Sequence, residues 1–147
     1  MTAVALAAAW ATAAVSAAAA LLGAFSWWRV RHSGAFWVLV RVAQAVAIGQ
    51  AVVAGVLAAL SFDPEDGLYW LYALLPVVVG FFAEQLRLVS TEQVLERLGL
   101  EGSAAVRDLP EERQRSVVVS ILRREMGVMT LAAVVVCFLA VRAVETL

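Results

Sequence analysis

The sequence predicts an all-α, polytopic membrane protein with four transmembrane helices and a short helical cytoplasmic segment between the third and fourth. Three observations carry this. Charge-poor stretches at 3–28, 35–60, 67–89 and 126–144 are each long enough, or nearly so, to cross a bilayer. The hydrocarbon core of ~30 Å needs ~20 apolar helical residues, and only helices or closed barrels satisfy the backbone there. Composition agrees: 63% of residues are hydrophobic, 16% are charged and the mean hydropathy is +0.88, outside the usual soluble range. The remaining residues form one sizeable polar connection, 90–125, so residues 1–147 read as a single integral membrane domain.

The first span, 3–28, holds no ionisable side chain. Its length and the absence of any arginine before Arg29 favour a retained helix over a signal peptide, whose apolar stretch runs to ~15 residues behind a basic start. Small residues recur four apart (Ala7 and Ala11, Ala9 and Ala13, Ala13 and Ala17, Ser16 and Ala20, Ala20 and Ala24), a pattern that lets helix backbones approach in lipid. Its partner, by sequence, is either another span or another subunit.

The second span, 35–60, contains the chain's deepest basic residue. Arg41 stands six residues in, ~9 Å at 1.5 Å per residue. The third span, 67–89, returns toward the same interface and brings Glu84 to similar depth, so the two are expected to pair. Gln44 lies three residues from Arg41 on the same helical face and is expected to bond Glu84 or Gln85. The intramembrane polar cluster is thus predicted to be Arg41, Gln44, Glu84 and Gln85. It is read first as a register lock, with Arg41 reaching toward interfacial water. A protonation or substrate role for Glu84 is the functional alternative. Gln50, nine residues after Arg41, points ~180° away and forms a second polar face that must meet a helix, a cavity or a neighbouring subunit. Gly49 and Gly55 would allow close approach there. Pro76 removes a backbone donor inside the third span, where a kink is expected. The turn Asp63-Pro64-Glu65-Asp66-Gly67 has ordinary turn chemistry and no regular cation-ligand spacing.

In the polar connection, Ser90-Thr91-Glu92-Gln93 has the form of a capping box, Val94, Leu95 and Leu98 make an apolar face, and Gly99 is a helix stop, which predicts a short separate helix. A break is expected over 102–105. Asp108 and Glu111, with Pro110 between them, mark a second start. The 109–125 helix either continues into the fourth span or lies along the headgroups. Met126, Met129 and Cys137 of the fourth span read as core or lipid-facing residues.

Arginines set the expected orientation. Arg29 and Arg31 sit in the first connection and seven more lie in 84–125, whereas the second connection has acids and no arginine. The positive-inside rule then places the 84–125 connection in the cytoplasm and both termini outside, across the inner (plasma) membrane of a bacterial cell. Trp27, Trp28 and Trp37 at one interface and Tyr69, Trp70 and Tyr72 at the other read as aromatic belts.

Several functions are disfavoured. A formal net charge of -1 without a clustered basic surface argues against nucleic acid. A lone cysteine, Cys137, and a lone histidine, His32, offer no disulfide and no metal or haem site, and no cofactor is implied. No hydrolase elbow, zinc-protease motif, phosphate loop or dinucleotide fingerprint occurs. The sequence carries place and architecture, and no catalytic residue. The leading expectation is a small non-enzymatic membrane component, surrounded by lipid, that packs with itself as a homo-oligomer or with a larger membrane-protein partner. A small oligomeric transporter or channel with a polar path through the second and third spans is the alternative, and a lipid- or quinone-binding protein or enzyme is the second.

Overall fold

Five helices form among the described residues, four of them along the apolar runs. A computed structural model describes residues 1–29, 33–99 and 102–147, apart from the side chains at 102, 103 and 105. In chain order they are α1 (Thr2–Arg29), α2 (Gly34–Ala59), α3 (Leu68–Arg97), α4 (Gly102–Arg107) and α5 (Glu111–Glu145). All but α4 are long and apolar enough to cross a membrane. The protein is therefore an all-α, multi-pass membrane protein. Arg31 and His32 lie outside the described residues.

Helix ends follow local chemistry. The Ser33 hydroxyl accepts from Phe36 N–H at 3.2 Å, an N-cap that starts α2. At its other end Phe62 N–H reaches Leu57 C=O and Ser61 N–H reaches Ala58 C=O, each at 3.0 Å, a Schellman closure that forces Ser61 to φ 57°. Asp66 Oδ1 accepts from Leu68 N–H at 2.9 Å at the start of α3. Gly99, at φ 67°, follows the last turn of α3 as the sequence anticipates.

The polar connection departs from expectation in three ways. Ser90 to Gln93 do not start a helix, because α3 runs unbroken through them to Arg97. The physical reason is tertiary: Ser90 and Leu95 are buried against the rest of the protein, so the last turns of α3 gain packing that a separate helix would lose. The expected break at 102–105 falls within α4. Asp108 does not cap α5: Pro110 is the N-cap and no side-chain cap bond forms. Gln114 instead turns back, its Nε2 donating to the carbonyls of Arg107 at 2.9 Å and Leu109 at 2.8 Å. The open question over 109–125 is answered by α5, one helix from Glu111 to Glu145.

Small residues decide the packing. The buried face of α1 is Ala5, Ala9, Thr12, Ala13, Ser16, Ala19, Ala20, Gly23 and Ser26, and it meets both α2 and α5. Its partners are thus internal. At Gly23 an added Cβ would lie 2.3 Å from Thr130 Oγ1 and 2.6 Å from Phe36 Cε2, so three helices converge where one side chain is missing. Helix α3 packs mainly on α5, while the α2–α3 seam is the looser closure of the ring.

Two apolar cores result. One, near the α1–α2 connection, gathers Ala19, Ala20, Phe36, Val40, Ala43, Ala83, Met126, Met129 and Ala133. The other, near the termini, gathers Ala5, Ala9, Ala54, Leu57, Tyr69, Ala73 and Ala143. Buried Thr12, Ser16 and Gln50 belong to neither core. Tyr69 is only 1% exposed and stacks edge-on with Phe62 and Trp70, so it is a core residue rather than a lipid-facing belt residue.

Candidate functional site

The polar groups of α2 and α3 converge at the connection end of the looser seam. Glu84 Oε1 accepts from Arg41 Nη1 at 2.6 Å and from Gln44 Nε2 at 2.8 Å. Arg41 Nη1 also donates to Gln44 Oε1 at 2.8 Å, which satisfies both ends of the Gln44 amide. The second carboxylate oxygen, Oε2, accepts from Arg87 Nε at 3.1 Å. The Arg87 guanidinium in turn lies 5.2 Å from the ring centre of Trp37, within cation–π range. Charge-assisted bonds of this kind are short and strong, and here they tie two helices together.

Of the predicted cluster, Arg41, Gln44 and Glu84 are brought together and Gln85 is not. Gln85 points outward, exposed, because it stands 100° around α3 from Glu84. Arg87 takes the place expected for it. Its signal was present in the sequence as the i, i+3 spacing from Glu84, but it was counted there with the connection's arginines. Trp37, read as a belt residue, is half-buried beneath Arg87.

Beneath the cluster the seam opens into an apolar recess of about 280 Å³, lined by Gln44, Ala47, Ile48, Pro76, Val77, Gly80, Phe81 and Glu84. Its walls are shallow because Ala47 and Gly80 have little or no side chain and Pro76 is folded inward, fully buried. A smaller cavity of about 30 Å³ shares Gln44, Ala47, Pro76 and Gly80 and reaches Ser16 and Met129 further in. Helix α3 continues through Pro76, whose ring leaves the Tyr72 carbonyl without its usual N–H donor.

Gln50 is 2% exposed and faces the bundle interior rather than lipid, yet neither amide atom finds a hydrogen-bond partner among the described residues. Ser16 Oγ and Thr130 Oγ1 are likewise buried and unpartnered. Gly49 and Gly55 do not serve this contact: both open outward, where an added Cβ meets nothing. Among the described residues no group of three or more His, Cys, Asp or Glu side chains could hold a metal ion.

Beyond the seam, α3 and α5 are tied by Thr91 Oγ1 donating to Glu125 Oε1 at 3.0 Å and Arg124 Nη2 to Gln93 Oε1 at 2.7 Å. Arg123 lies over Trp27 at 5.4 Å, binding the end of α1 to the same region. At the opposite end Arg142 pairs with Glu145 and lies 5.6 Å over Tyr72.

Comparison with protein-family models, with curated proteins and with solved structures finds no match for this chain.

Proposed function

We propose that the chain is a non-enzymatic component of a bacterial plasma membrane, a helical bundle that packs with copies of itself or with a larger membrane protein. The observation supporting this is how its membrane-embedded charges are used. Arg41, Glu84 and Arg87 close on one another as a clasp between α2 and α3, while the outward faces of the spans are apolar. A clasp fixes helix register, the best-attested use of a partly buried ion pair. Gly49 and Gly55 are exposed on α2 with open space beside them, and each is a point where a neighbouring helix can approach closely.

The arginine distribution orients the bundle with the α3–α5 connection in the cytoplasm and both termini outside. Crosslinking in native membranes through a cysteine at Gly49 tests the assembly reading. A defined crosslinked partner or dimer supports it; a solitary monomer at native expression overturns it.

Transport is the second reading, favoured by the unpartnered interior groups Gln50 and Ser16. Flux in proteoliposomes that is lost in both Glu84→Gln and Gln50→Leu would replace the first reading with this one. Intact assembly without flux of any ion would remove it.

A further inference from the structure

The clasp is one carboxylate short. Two guanidinium groups, Arg41 and Arg87, share the single acid Glu84, whose two oxygens are both occupied. Arg41 donates through Nη1 only and Arg87 through Nε only, so each guanidinium keeps N–H donors without a protein acceptor among the described residues. Half of the Arg41 side chain, 54%, is exposed. A net positive charge with free forked donors matches a phosphate group, which arginine binds in bidentate fashion.

Directly below this charge lies the apolar recess. It descends along α3 from Glu84 to Pro76, eight residues or ~12 Å at 1.5 Å per residue. Its volume of about 280 Å³ falls at the lower edge of the ~300–1,000 Å³ of small-molecule pockets. That is room for a slender tail and not for a second helix. The recess lies between two spans with its polar mouth at the interface, so a molecule entering from lipid would put its charged end at the clasp and its chain along Ala47, Gly80 and Phe81.

We infer that the α2–α3 seam is a binding site for an anionic glycerophospholipid from the leaflet at the connection end, with its phosphate on Arg41 and Arg87 and one acyl chain in the recess. The lipid headgroup supplies the negative charge that the clasp lacks. The same arrangement gives a use to the space that the α2–α3 seam leaves open beside Ala47 and Gly80, where the helices pack less closely than α1 and α3 do on α5. Zwitterionic lipid has the phosphate but adds a cation that the two arginines repel, so the site discriminates between headgroups.

Native mass spectrometry of the intact protein, released from micelles doped with phosphatidylglycerol or with phosphatidylcholine of the same acyl chains, tests the site. Phosphatidylglycerol is expected to bind at least tenfold more tightly. The double substitution Arg41→Gln and Arg87→Gln should abolish that preference, whereas Arg142→Gln at the opposite end should leave it intact. Gly80→Leu fills the recess from a position where a Cβ has 4.0 Å of clearance to Gln44 Cγ, so it should lower affinity for both lipids at least tenfold while circular dichroism reports an unchanged helical fold. Equal affinity for the two lipids overturns the inference, as does unaltered binding in a folded Gly80→Leu protein. Displacement of the lipid by millimolar inorganic phosphate would also overturn it, since the recess would then contribute nothing.

Discussion

Gly23→Ala is the most direct probe of how this bundle is held together. The new methyl carbon would sit 2.3 Å from Thr130 Oγ1, 3.2 Å from Thr130 Cβ and 2.6 Å from Phe36 Cε2. Carbon contacts are comfortable at ~3.5–4.0 Å, so the neighbours must retreat by roughly 1 Å on two sides at once. Phe36 is fully buried and so has no open space to rotate into, and the Thr130 hydroxyl oxygen is buried where it faces Gly23. Overpacking of this kind costs about 1–3 kcal/mol, which lowers the folding equilibrium constant by roughly 5- to 160-fold. Reversible unfolding in mixed micelles, followed by circular dichroism against denaturing detergent, measures it. The explanation also predicts coupling. In a Thr130→Ala background the hydroxyl clash disappears, and the penalty of Gly23→Ala should fall by about 1 kcal/mol, within the range of directly contacting residues. A Gly23→Ala protein as stable as its parent would refute the convergence of α1, α2 and α5 at this point. Additive effects of the two substitutions would refute Thr130 as the obstructing group.

Gln50→Leu replaces a buried amide without a hydrogen-bond partner among the described residues with an apolar side chain of similar size, and should stabilise the bundle by about 1–3 kcal/mol in the same assay; destabilisation would show that the amide has a polar contact in the membrane. Ser61→Gly relieves a left-handed backbone at the end of α2 and should stabilise by about 1 kcal/mol, read as a shift of the same unfolding midpoint. Glu84→Ala removes the acceptor of three side-chain bonds and leaves two arginines facing each other. With Arg41 half exposed, the expected loss is about 1–3 kcal/mol, between the ~0–1 of exposed pairs and the ~3–5 of broken buried ones. Cysteine pairs across α2 and α3 should also crosslink less selectively in that variant.

Hydrophobic length alone located four spans, because a lone segment satisfies its own backbone in hydrocarbon only as a helix, and the observed bounds of α2 differ by one residue from 35–60. The pairing of Arg41 with Glu84 was equally legible, since antiparallel neighbours put residues at equal distance from one interface at equal depth. What failed was local signal against tertiary context. Ser90 and Gln93 read as a cap, but a cap contributes ~1 kcal/mol and burial of Ser90 and Leu95 outweighed it. Gln85 and Arg87 were a matter of angle: three residues from Glu84 keeps Arg87 on the seam, one residue turns Gln85 away. The recess was not legible, because space left by Ala47 and Gly80 depends on which faces meet.

The unequal lengths of the helices carry a mechanical consequence. At 1.5 Å per residue the 35 residues of α5 extend ~52 Å and the 30 of α3 ~45 Å, against a hydrocarbon layer of ~30 Å. Both overshoot on one side, side by side and pinned through Thr91 to Glu125 and Gln93 to Arg124. What protrudes is thus no tethered appendage but a stiff handle, continuous with the parts inside lipid. A push or a twist delivered to that handle from the aqueous side would be felt along α3 as far as Glu84, the residue on which the seam closes.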